Sequence, residues 1–263
     1  PEQFTMQTQK DLVSMHPRHG IMNIDVLSFA RLAYRVFEET GTKQMQVLDD
    51  EGKNLILRKI AGQYEDHLMV LKGNLKKQGY ISEVKSVISE FTQYDIGEEE
   101  IDEMLDHLDE DSRLYYKLKD IRLLYEGFQD YLRERYITKE ELLDVLNSQV
   151  KESELLKNSV VVLDGFTGFT PVQNRLILEL MRCCKEVWVT VTMDERENPY
   201  AYKHPYQLFG LSKQMVTTLI SLAREEHIAV EEPVCLYGYP VKRFEKNQEL
   251  AFLERNIFRY GSG

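Results

Sequence analysis

The sequence predicts an α/β protein in which a parallel sheet is interrupted by a long all-helical insertion, and three changes of hydrophobic period predict it. Short apolar runs stand near both ends of the chain, each followed by a helical pattern. The stretch between them, Asp49 to Val150, repeats at helical spacing and shows no convincing strand. Strands alternating with helices imply parallel crossover units, so the end segments are expected to share one sheet. The expected division is 1–48 with 151–263 for the α/β part and 49–150 for the helical part.

Taken in order, Ile24–Phe29 is short, apolar and β-branched, and reads as a strand. Leu32, Ala33, Val36 and Phe37 then recur at helical spacing, which predicts a helix over Arg31–Glu39 stopped by Gly41. The clearest helix of the middle region spans Ser112–Tyr136, where Leu114, Leu118, Ile121, Tyr125, Phe128 and Leu132 form one stripe. After Asn158, Val160–Leu163 is a continuous apolar run, expected to be a parallel strand buried on both faces, and it ends at Asp164-Gly165. Thr170 and Pro171 cap and open the next helix, with Leu176, Leu180, Met181 and Cys184 facing inward. A further strand over Val187–Met193 and a helix over Ser212–Glu225 complete the pattern.

Composition narrows the function classes. The 263 residues carry 44 acidic against 33 basic side chains, a formal charge of -11, and 43% are hydrophobic. That length suffices for one large or two modest domains with their own core. No apolar run approaches the roughly 20 residues needed to cross a bilayer, and no secretory signal opens the chain, so no membrane partner is expected. The adjacent Cys183 and Cys184 cannot easily pair with each other and lack the two-residue gap of a zinc or redox motif; with Cys235 they suit a reducing, cytoplasmic setting. An acidic balance argues against coating nucleic acid with the whole surface and leaves a local basic groove open. With no initial methionine and a Gly-Ser-Gly end, the chain reads as part of something longer.

The most informative stretch is Val160–Gln173. An apolar strand ending in Asp164 places an acid where a Walker B segment would meet Mg²⁺ and phosphate oxygens, at the carboxyl edge of a parallel sheet. Hydrolysis also needs a second acid beside it to orient water, and Gly165 stands there instead. The plainer alternative is that Asp164 only turns the chain at the end of a core strand. The chain has no G-x-x-x-x-G-K-[ST] phosphate loop, and Gly41-Thr42-Lys43 reads as a helix stop. Ten carboxylates crowd Asp95–Asp111 without the order of a calcium loop, and read as a solvated face. His16, His19, His67 and His107 form no metal-ligating pair, and Tyr115-Tyr116 and Tyr200, Tyr202 and Tyr206 read as packing and loop anchors.

Four blocks carry a family resemblance: Pro1-Glu2-Gln3-Phe4-Thr5, then Val26 to Val36 (VLSFARLAYRV), then Leu163 to Pro171 (LDGFTGFTP), then Asn247 to Glu254 (NQELAFLE). In that order they resemble the amino-terminal region of the AddB (RexB) family, the B-type component of the bacterial ATP-dependent helicase/nuclease. The resemblance implies a RecA-like, superfamily 1 helicase-type domain of the P-loop NTPase class with a helical insertion, and a phosphate loop upstream of Pro1. It implies a segment that is not catalytic by itself, with a degenerate Walker B at Asp164 and Gly165; the alternatives are an ATP-binding helicase fragment whose phosphate loop is truncated and a scaffold that docks the motor subunit. It further implies that Gln3, Thr5, Phe29, Arg31, Tyr34 and Phe166 meet single-stranded DNA, including the Chi recombination signal, as it leaves an AddA-type motor subunit in a heterodimer. Aromatic faces stacking on bases and an arginine at phosphate or a guanine edge suit that task. No cofactor is expected in this segment; ATP with Mg²⁺ and an iron-sulfur cluster are expected only in the full-length parent or its complex.

Overall fold

In a computed structural model, which describes residues 5–42, 46–74, 77–133, 136–236, 238 and 241–257, the chain is a helix-rich α/β protein with two small parallel sheets. Its helices are α1 (Thr5–Met15), α2 (Phe29–Thr40), α3 (Asp50–Gln63), α4 (Gln78–Gln93), α5 (Glu98–Asp106), α6 (Arg113–Leu132), α7 (Glu141–Gln149), α8 (Glu154–Lys157), α9 (Pro171–Cys183), α10 (Gly210–Glu225) and α11 (Gln248–Asn256). Strands β1 (Gln46–Leu48) and β2 (Tyr136–Thr138) pair in parallel, as do β3 (Val160–Leu163) and β4 (Glu186–Val189).

Local chemistry sets most helix boundaries. Ser28, Asp49, Ser112, Thr170 and Asn247 each accept a backbone N–H of the first turn they precede, and Gly41 ends α2 in the left-handed region at φ 67°. At α9 the cap is reciprocal, with Gln173 reaching back to the Thr170 amide.

Two apolar cores organise the packing. Helices α3 to α6 enclose the first, around Leu57, Ile60, Ile81, Ile101, Leu124 and Phe128. Asp120 of α6 sits inside it and accepts the backbone N–H groups of Met69, Val70 and Leu71, tying an irregular segment to the helix. The second core joins Ala33, Val36 and Phe37 of α2 to Leu142 and Leu146 of α7 and to Leu176 and Leu180 of α9. The apolar face of α7 therefore packs with the chain ends, although its residues fall inside the 49–150 stretch. Lys53 of α3, almost wholly buried, crosses between the cores to Glu140 at 2.7 Å, and Arg175 of α9 reaches both Asp95 and Asp144. Burial pushes the Glu140 carboxyl up, but the hydrogen bond and charge of Lys53 outweigh it and hold it below the usual carboxylate range.

Four expectations are corrected. Residues 24–28 form no strand, because Ser28 caps a helix that already contains Phe29. Tyr136–Thr138 is a strand inside the stretch read as wholly helical; three residues are too few to display a period, and their partner β1 lies 90 residues earlier in register. Val187–Met193 pairs only as far as Val189. Among the described residues, the β3–β4 sheet is covered on one face: α9 packs against it, while Val160, Val162 and Trp188 are 52%, 58% and 50% exposed on the other.

Candidate nucleic-acid interface

The end of β3 is a hydrogen-bonded turn. Gly165 takes φ 74°, a left-handed conformation that side chains with a Cβ adopt at a cost. The Thr190 hydroxyl, just past β4, donates to Asp164 Oδ1 at 2.6 Å and accepts the Gly165 N–H at 3.2 Å, and the Thr190 N–H reaches the Leu163 carbonyl. Asp164 is thus exposed yet engaged in closing the turn. A second acid in the place of Gly165 would have to adopt the same positive φ.

That turn throws Phe166 toward the start of α2. The Phe166 ring lies 5.8 Å from Phe29 and 4.9 Å from Phe169, giving a row of three rings from two blocks far apart in sequence. Their inner sides pack with Leu163, Ile177, Met215 and Leu219, and each ring is only partly buried. Phe29 is held by the Ser28 cap behind it, and Phe169 by the Thr170 cap ahead of it.

Arg31, two residues after Phe29, is exposed, and its backbone N–H donates to Ser28 Oγ at 3.3 Å. The first turn of α2 contains no acid, so the guanidinium and the positive end of the helix dipole both favour an anion there. One turn on, Tyr34 is 39% exposed and edge-on to Phe37 at 6.5 Å. The far end of α2 is tied down: Glu39 accepts the Ser153 hydroxyl and the Leu155 N–H, and the Ser153 bond, ahead of the opposing effect of burial, holds its carboxyl below the ordinary value.

The residues singled out in sequence are thus partly assembled. Phe29, Arg31 and Tyr34 share α2, and Phe166 joins Phe29 directly. Thr5 opens a separate helix, α1, where it is half-buried, and Gln3 lies outside the described residues. Two contributors escaped sequence reasoning. Phe169 stood in the LDGFTGFTP block without a role, and Thr190 carried no signal, since its partners are 26 and 25 residues away and a lone threonine after a strand is unremarkable in pattern. Among the described residues, no group of three or more His, Cys, Asp or Glu side chains is arranged to hold a metal ion, and no helix is long and apolar enough to cross a membrane.

Comparison with known proteins gives the family. The family model described as "ADDB, N-terminal" matches residues 1–254. The chain belongs to the AddB amino-terminal family. Among similar proteins are three whose names describe the B-type component of an ATP-dependent helicase/deoxyribonuclease. That of Lachnoclostridium phytofermentans is 44% identical over 99% of this chain and 23% of its own length. Those of Caldanaerobacter subterraneus subsp. tengcongensis and Clostridium acetobutylicum are 35% and 30% identical, again over 99% of this chain and 22% of theirs. The chain therefore spans less than a quarter of the length of these AddB relatives.

Proposed function

We propose that this chain is the amino-terminal, motor-inactive helicase-like region of the AddB component of an ATP-dependent helicase/deoxyribonuclease, and that it holds single-stranded DNA in double-strand-break repair. In this reading the α/β part is RecA-like, residues 49–150 form the inserted helical domain, and an AddA-type motor subunit delivers the strand. The relatives' names support the complex and the DNA-processing role. The observation that carries the DNA reading is the Phe29–Phe166–Phe169 row beside exposed Arg31. Rings half-sunk in a core offer stacking faces at little entropic cost, and Arg31 supplies the phosphate or guanine contact. Phe29, Arg31, Tyr34 and Phe166 form the working set, to which this reading adds Thr5 and Gln3, and the strand they read includes Chi.

The inactive-motor half of the reading rests on the Asp164–Gly165 turn. Asp164 is engaged by Thr190, and Gly165 occupies a backbone conformation that disfavours the second acid of a working Walker B segment. ATP with Mg²⁺, and an iron-sulfur cluster, belong in this reading to other parts of the parent complex.

The test is binding of short fluorescent single-stranded oligonucleotides at low and moderate salt. Arg31→Ala is expected to weaken binding and lower the salt slope by about 1, and Phe29→Ala to weaken binding with the slope unchanged. Absence of salt-dependent binding in the wild-type chain would overturn the proposal. A second reading, a scaffold that docks the motor subunit, is favoured by the bare apolar sheet face at Val160, Val162 and Trp188, and it is the one left standing by that outcome.

A further inference from the structure

The loop from β4 to α10, residues 190–209, leaves the same sheet edge as the Asp164–Phe169 loop. The two are joined at the root, because Thr190 closes the Asp164–Gly165 turn. They are also joined at the far side, because Met215 and Leu219 of α10 pack in the cluster that contains Phe166 and Phe169. Ligands of parallel sheets bind outside the carboxyl ends of the strands, and this loop emerges there.

The loop is firmly built. Lys213, 3% exposed in the first turn of α10, is paired with Glu197. Asp194 and Asn198 close short turns through the Arg196 and Tyr200 amides at 3.0 and 2.9 Å. The His204 and Pro205 carbonyls pass so close to Gly210 that a Cβ there would meet them at 3.0 and 2.8 Å. Such close approach fixes where residues 204–206 sit over the start of α10. Yet this anchored segment turns its aromatic side outward. Tyr206 is 81% exposed, and its ring lies flat on His204, 4.9 Å between centroids and 6° from parallel. The sequence pattern suggested that the tyrosines of this loop serve as packing anchors; for Tyr206 the exposure contradicts it.

We infer that the His204–Tyr206 pair is a second base-stacking platform, which receives a nucleobase of the strand held by Phe29, Arg31 and Phe166. The inference rests on the proposed DNA reading and extends its site onto the β4–α10 loop. An outward ring pre-stacked on imidazole offers a flat face already ordered, and stacking on such faces tolerates any base. The Tyr206 ring carries no charge, so its own contribution is to bases and not to phosphate.

The experiment is anisotropy titration of oligothymidylate against the full chain and its Tyr206→Ala, Tyr206→Phe and Arg31→Ala variants, at several salt concentrations. It is joined by photocrosslinking with 5-iododeoxyuridine oligonucleotides and mapping of the adducts. Tyr206→Ala is expected to lose about tenfold in affinity with an unchanged salt slope, and Tyr206→Phe to retain wild-type binding. An oligonucleotide with abasic spacers is expected to erase the difference between Tyr206→Ala and wild type, and adducts are expected on Tyr206. If Arg31→Ala weakens binding while Tyr206→Ala does not, and adducts spare the 200–206 segment, the platform is overturned and the DNA reading stands. If the wild-type chain shows no salt-dependent binding, both fall together.

Discussion

Replacing Gly165 tests whether the backbone, rather than chance, excludes a second acid after Asp164. At φ 74° any residue with a Cβ is strained by about 1–2 kcal/mol. Three residues later Gly168 has no positive φ, and a Cβ built on it meets nothing within 4 Å. Alanine there removes freedom from the unfolded chain and is expected to stabilise by about 0.4–1 kcal/mol. Gly165→Ala and Gly168→Ala thus differ by about 1.5–3 kcal/mol within one loop, a gap well resolved by urea denaturation. Gly165→Glu is expected to behave like Gly165→Ala in stability and to gain no ATP hydrolysis. Equal stability of the two alanine variants would refute the argument that the turn dictates glycine. Hydrolysis gained by Gly165→Glu would refute the argument that the backbone at this turn excludes a working second acid, and hydrolysis by the wild-type chain would refute the inactive-motor reading.

Four further outcomes follow. Asp120→Ala leaves the Met69, Val70 and Leu71 amides without their acceptor, and is expected to cost about 3 kcal/mol or more in urea denaturation at neutral pH. Lys53→Met strands Glu140 in a mostly buried place and is expected to cost about 3–5 kcal/mol. Because the Glu140 and Glu39 carboxyls are held below their ordinary values when folded, their contribution is full above the ordinary carboxylate range and fades as pH falls through the lowered values. In Lys53→Met the hydrogen bond and charge that outweigh burial at Glu140 are gone, so that variant is expected to lose less stability than wild type as the pH falls. Finally, burial pushes the Cys184 thiol up to about 11, so alkylation at mildly alkaline pH is expected to be slow there and fast at exposed Cys235, as peptide mapping would read.

Elements with a strong local signal were legible in sequence. Helix α9 begins at the expected Thr170–Pro171 cap, and Leu176 and Leu180 face inward as their spacing requires. The α6 stripe also holds except at Leu114, which is 58% exposed because the helix has barely begun at Arg113 and nothing packs over its first turn closely enough to cover it. What failed has a common cause. Ile24–Phe29 has strand composition, but a strand needs a partner, and the Ser28 cap gave the chain a helical alternative. Strand β2 was invisible for the opposite reason: it exists through β1, which no local pattern in Tyr136–Thr138 announces.

By itself the sequence determined the helices of the middle region, the Thr170–Pro171 cap, the apolar run into Asp164-Gly165 and the four blocks that mark the family. These are properties of neighbours in the chain, set by period, capping hydroxyls and glycine's freedom of φ. Tertiary structure alone decided that Phe29 meets Phe166 and that Thr190 locks Asp164. It also decided that α7 packs with the chain ends, that one face of the β3–β4 sheet stays bare, and that Tyr206 points outward from an anchored loop. Each depends on burial and on contacts between residues distant in sequence, and burial is a property of the assembled fold that no single segment carries.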